Sequence, residues 1–181
     1  MNRMRRHSSA GLTWKEAATR ALVSGTMASV FSTIALGACG RLEGGTASGP
    51  NSAPGQWLWG ERVAHRRHPP WGQMAVGYGI HHLMSVGWAA VHEKLLAPVI
   101  GQRPLARRLA AAAATSVLAC IVDYRVAPRR LRPGFEKQLG RLSLFAVYTA
   151  FALGLAAGAR EGSKSGAVRD GGHLPCSKWL R

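Results

Sequence analysis

Apolar positions in this chain gather into four stretches that hold no Lys, Arg, Asp or Glu: residues 21–39, 71–91, 109–122 and 142–159, of 19, 21, 14 and 18 residues. About 20 apolar residues rising 1.5 Å each cross the roughly 30 Å hydrocarbon core of a bilayer, so runs of this kind read as membrane-spanning helices. The pattern predicts an all-α integral membrane bundle of about four spans, over 21–39, 71–91, 105–126 and 142–159. A basic leader (1–20) precedes the bundle, and a polar tail expected to be mobile (160–181) follows it. Trp71 and Trp88, 17 residues and so about 25 Å apart, suit the two interfaces and make the second stretch the most secure span. The third is uncertain, because 14 residues reach only about 21 Å. Extending it to 105–126 requires Arg107, Arg108 and Arg125 to snorkel towards the headgroups, with a re-entrant or interfacial helix as the alternative.

The connection from 40 to 70 is rich in Gly, Ser, Pro and Ala, so its first half is expected to be loop. In its second half, Gln56-Trp57-Leu58-Trp59-Gly60-Glu61-Arg62 pairs aromatic bodies with charges, as a segment lying in the membrane interface does. Pro69 and Pro70 are placed to open the second span. Leu36-Gly37-Ala38-Cys39 resembles the lipobox of bacterial lipoproteins, but the leader carries Glu16 and the apolar run is longer than a signal peptide's, which favours an uncleaved first helix.

With 47% hydrophobic residues the chain is not intrinsically disordered, and no sustained period supports a coiled coil. Cys39, Cys120 and Cys176 are too far apart for a zinc motif or a disulfide framework, and the first two, in apolar stretches, read as packing residues. The 24 Lys and Arg against 8 Asp and Glu give a formal charge of +16. Because the basic residues flank the apolar runs, their expected partner is a bilayer with anionic headgroups and not nucleic acid. With four spans, 14 basic residues lie on the N-terminal side and 10 on the other, a weak indication that both termini are inside. If the third stretch does not cross, the split is 15 to 9 and the C-terminus is external.

Gly25, Ser29, Thr33 and Gly37 recur at four-residue steps on the first span, and Ala146, Ala150, Gly154 and Gly158 on the last, which predicts close helix packing within the bundle or a homo-oligomer. The second span carries His81 and His82 near the bilayer middle, where ionisable groups are rare and are candidates for function. Gln73, Gly77, His81, Ser85, Ala89 and Glu93 share one of its faces, while His82 points about 100° away from His81. Neutral histidines bonded across helices are one reading. A proton or ion relay through His81 or His82, with His92 and Glu93 at its mouth, is the other.

A metal site is not expected: His92-Glu93-Lys94-Leu95-Leu96 has leucine where the zinc-protease motif places its second histidine. Asp123, Arg125, Arg129, Arg130, Arg132 and Glu136 are expected either to form ion pairs that hold a membrane-edge loop or to recognise an anionic lipid headgroup. No nucleophile elbow, phosphate loop or dinucleotide fingerprint occurs, and eight acidic residues leave little material for acid-base catalysis. The expectation is a membrane protein without enzymatic activity or cofactor, acting as a structural or interaction protein. A small transporter or channel component comes second and a membrane-embedded enzyme third.

Pro54 with Trp57-Leu58-Trp59-Gly60, His81-His82 with Trp88 to Glu93, and Asp123-Tyr124-Arg125 with Pro133-Gly134-Phe135-Glu136 together resemble small bacterial multi-pass inner-membrane proteins that have no assigned mechanism. The likeness covers most of residues 20–158. It implies a compact helical membrane protein and supplies no activity.

Overall fold

The computed structural model describes residues 12–96 and 104–170, with side chains described as far as residue 159; Cys176 lies outside this range. Helix α1 (Trp14–Leu42) begins seven residues before the apolar run, because Thr13 and Glu16 form a reciprocal capping box that satisfies its first amides. A chain of short helical pieces follows: α2 (Ser48–Ser52), a 3-10 turn (Ala53–Gly55), α3 (Gln56–Trp59) and a second 3-10 turn (Glu61–Val63). Helix α4 (Trp71–Leu95) starts just after Pro70, which is its N-cap. Helix α5 (Leu105–Ile121) continues into a π turn (Val122–Val126), and after two 3-10 turns (Arg129–Leu131 and Phe135–Lys137) α6 (Arg141–Asp170) completes the fold. No strand occurs among the described residues.

Helix α1 is the centre of the bundle, antiparallel to α4 on one side and to α6 on the other, and α5 packs against α6 and touches α4. The first small-residue stripe packs within the chain, and so do Gly154 and Gly158 of the second, whereas Ala146 is exposed and Ala150 half-buried. A Cβ on Gly25 would lie 2.5 Å from the Val86 Cα, one on Gly154 2.7 Å from the Ala28 Cα and one on Gly158 2.4 Å from the Ser24 Cα. Ser29 is buried on the same stripe as Gly25; further along, the carbonyl of Thr33 accepts from Asn51, and Gly37 meets Ala47 beside α2.

Small residues (Ala21, Ala28, Ala89, Ala112, Ser24, Ser32) make up much of the interior beside Leu36, Phe151 and Leu155, while Ile34, Leu83, Leu142 and Phe145 are exposed, the last by 70%. Water-soluble domains bury most of their large apolar side chains; here many of them face outward and small ones bring helices together, as a lipid environment requires. Three helices are long and apolar enough to cross a membrane: α1, α5 with its π extension (Leu105–Val126, 22 residues, about 33 Å) and the Arg141–Ala159 part of α6. The chain is therefore an all-α membrane protein.

By length and apolarity the third expected span qualifies and the second does not. The π turn carries α5 to Val126 and gives it length, whereas α4, with 25 residues, is not among the helices apolar enough to cross, because His81 and His82 interrupt its apolar run. Two connections also differ from expectation. Residues 48–55, expected as loop, are helical and buried against α1 and α4, where Gly77 leaves room for the backbone of Asn51 and Ser52. The last helix extends to Asp170, well into the stretch expected to be a polar tail.

These short pieces and the 129–139 segment pack together as one cap over one end of the bundle. Arg132 O accepts from Gln56 Nε2 and from Trp57 Nε1 (3.2 Å). Gln138 Nε2 donates to Ala64 O (2.7 Å) and Arg66 O (3.1 Å), and Glu43 accepts from the Gly140 amide (2.9 Å). Gly134, at φ +80°, wedges between Ala64, Gln56 and Ala53, a conformation and a space that suit glycine alone.

Candidate functional site

Beneath the cap lies a cavity of about 60 Å³ whose walls come from every major helix. Ser32 enters from α1, His81 from α4, Asp123 from the π turn after α5 and Tyr148 from α6; Trp57 and Phe135 close it from the cap. Its polar groups are already bonded in pairs. His81 Nε2 lies 2.9 Å from Ser32 Oγ, and Ser32 Oγ lies 2.7 Å from Ala28 O. With the hydroxyl hydrogen on that carbonyl, the serine oxygen accepts from the Nε2–H and fixes the orientation of the ring. Tyr148 OH donates to Asp123 Oδ2 over 2.6 Å, and the Tyr148 backbone carbonyl accepts from Ser116 Oγ (2.6 Å). Phe135 stands edge-on to the His81 ring at 5.7 Å.

The π turn is what brings Asp123 here. Its Ala127 amide reaches back five residues to Val122 O (2.8 Å), and this widened turn carries Asp123 to Tyr148 and sets the Tyr124 ring edge-on to the Tyr148 ring at 6.2 Å. Such turns inside α-helices are rare and concentrate at functional sites.

A second polar node occupies the opposite end of the bundle. His92 Nδ1 lies 2.9 Å from Thr115 Oγ1, which donates in turn to Ala111 O (3.1 Å). Glu93 is only 2% exposed and its Oε1 has no partner among the described residues; nearby, Arg108 Nη2 donates to Ala156 O (2.5 Å).

Gln73, Gly77, His81, Ser85, Ala89 and Glu93 do form the packed side of α4, as their spacing predicts. His81 and Glu93 are not brought together: twelve residues of helix, about 18 Å, separate them. His82 turns away to stack on Tyr78 at 5.9 Å, with a buried Nδ1 that bonds nothing.

The expected loop ion pairs are also replaced. Asp123 bonds the Tyr148 phenol, Arg130 reaches the carbonyls of Trp57 and Leu58 (both 3.4 Å), and Arg132 is held by its own carbonyl. The ion pairs among the described residues are those of Glu61 with Lys137 and His65, one of which joins the two halves of the cap. Backbone carbonyls left open by short helical turns outcompete carboxylates here, because the cap has many of the former and few of the latter. Glu136 Oε2 and Arg132 Nε are both buried without a partner, and Arg125 and Arg129 make no ion pair among the described residues.

Sequence reasoning missed Tyr148, Ser32 and Thr115. Tyr148 had a signal, as a phenol inside a charge-free span, but hydroxyls at Ser32 and Thr115 look like any other small packing residue. Cys39 is buried inside α1, its Sγ 4.0 Å from Ser143 O, and Cys120 is half-buried, both as free thiols. Cleavage ahead of Cys39 would remove the helix on which α4 and α6 pack, so the uncleaved reading suits the bundle. No group of three or more His, Cys, Asp or Glu able to hold a metal occurs among the described residues. Comparison with protein-family models, with curated proteins and with solved structures gives no match.

Proposed function

We propose that the chain is a non-enzymatic structural or interaction protein of a bacterial inner membrane. One observation carries this reading: three pairs of polar side chains bond between helices inside the bundle, Ser32 with His81, Thr115 with His92 and Tyr148 with Asp123, and these pairs form two nodes separated along α4. A relay needs a continuous line of exchangeable groups across the membrane, whereas pairs like these fix helix register. The bacterial inner membrane rests on the resemblance noted above and on the basic residues that flank the spans.

The cavity favours a second reading, a small transporter or channel component, because it places His81 and Asp123 around one space. Proteoliposomes loaded with a pH-sensitive dye separate the two. The expected result is that vesicles holding the full chain dissipate an imposed pH gradient no faster than empty ones, and that His81→Ala changes nothing. A gradient collapsed by the wild type and held by both His81→Ala and Asp123→Asn would overturn the structural reading in favour of the relay.

A further inference from the structure

Between α5 and α6, on the outer surface of the bundle, runs a groove of about 510 Å³, within the range of clefts that hold ligands. Val117, Ile121, Leu144 and Phe145 line it, and it reaches from Ala113 to Tyr124 on α5 and from Arg141 to Ala152 on α6. Each span is eleven residues, about 16 Å, which is half the hydrocarbon thickness. The groove thus starts at the cap-side membrane edge and ends near the midplane, covering the depth of a single leaflet.

Its two ends differ chemically. The deep end is Ala113 and Ala152. At the edge stand the Tyr124 side chain and the Arg141 guanidinium, which has no carboxylate within 4 Å among the described residues. The neighbouring amide of Gly140 is already taken by Glu43, so the attraction for an anion rests on the Arg141 side chain and not on the end of α6.

We propose that this groove holds one acyl chain of an anionic phospholipid from the cap-side leaflet, with the phosphate of its headgroup on Arg141. An apolar trough one leaflet deep, ending in a cation, matches an anionic lipid in length and in polarity. This site is separate from the cap arginines Arg129 and Arg130, which are engaged with the backbone of α3 or stand on the other 3-10 turn.

Native mass spectrometry of the full chain, released from vesicles of equimolar phosphatidylglycerol and phosphatidylcholine, tests the assignment. The expected result is one retained phosphatidylglycerol per chain, favoured about fivefold over phosphatidylcholine, the preference one basic residue confers at an anionic surface. Arg141→Gln is expected to bring the ratio to about one, and Val117→Phe, which fills the trough from an exposed position, to reduce retention of both lipids. Arg129→Ala with Arg130→Ala is expected to leave the preference unchanged. Equal retention of the two lipids by the wild type, a preference that survives Arg141→Gln, a loss caused by the Arg129 and Arg130 pair instead, or a second copy of the chain in place of lipid would each overturn the proposal.

Discussion

Gly154 and Gly87 are both helical glycines facing a membrane-protein interior or its surroundings, yet their side-chain spaces differ completely. A Cβ at 154 would lie 2.5 Å from Met27 O, against the backbone of α1, which cannot retreat as a flexible side chain does. At 87 nothing lies within 4 Å. Gly154→Leu is therefore expected to cost roughly 1 to 3 kcal/mol or to prevent α6 from docking. Gly87→Leu is expected to be neutral or slightly stabilising, since leucine favours the helix and meets only lipid. Thermal unfolding and folded yield of the two variants in detergent check this; equal losses at both positions would mean that α1 and α6 do not approach this closely. The four-residue spacing made the Gly154 and Gly25 contacts legible from sequence. What spacing does not supply is the partner: Gly25 meets α4, and Gly37 on the same stripe meets the loop-derived α2.

The cap was the least legible part of the fold. Its pieces are too short for hydrophobic periodicity to register, and its cohesion comes from Gln56, Trp57, Gln138 and Glu43 bonding backbone groups about 70 to 100 positions away along the chain. One charged contact closes it: the Glu61 carboxylate bonds Lys137 and is held below the usual carboxylate range chiefly by that hydrogen bond and then by the lysine's charge, with His65 and Arg129 adding to the effect. A carboxylate whose value is lowered on folding contributes stability above its unfolded pKa of about 4.3 and loses that contribution as pH falls through the folded value. Wild type is accordingly expected to melt above Glu61→Gln near neutral pH, and the two curves to converge on acidification below about pH 4. The gap is expected to be small and to shrink in high salt, because the pair is solvent-exposed. A gap that persists in acid would assign the effect to packing by Glu61 and not to its charge.

The cavity site was half legible for a related reason. His81 and Asp123 stand out by residue type, but their meeting depends on a π turn and on the antiparallel order of α1, α4, α5 and α6, neither of which leaves a mark in composition. The count of charges could not decide between three and four crossings, since 14 against 10 and 15 against 9 differ by a single residue. The arrangement of the helices does bear on it. Contacts of Gln56 and Trp57 with Arg132, and of Gln138 with Ala64 and Arg66, require the 43–70 and 127–140 connections to share one end of the bundle.

At the other end Lys94 donates to Leu12 O and lies 5.6 Å above the Trp14 ring, joining the end of α4 to the start of α1. If α1 crosses the membrane, α4 and α5 must then cross it too, despite the polar residues of α4. In a background with the native cysteines replaced by alanine, a membrane-impermeant maleimide is expected to label Arg62→Cys and Arg129→Cys from one face of sealed vesicles, and Lys15→Cys from the opposite face. Labelling of Arg62→Cys and Arg129→Cys from opposite faces would be incompatible with the cap. Labelling of all three from one face would mean that α1 lies along the membrane instead of through it, and that the exposed leucines and phenylalanines of the bundle meet something other than lipid.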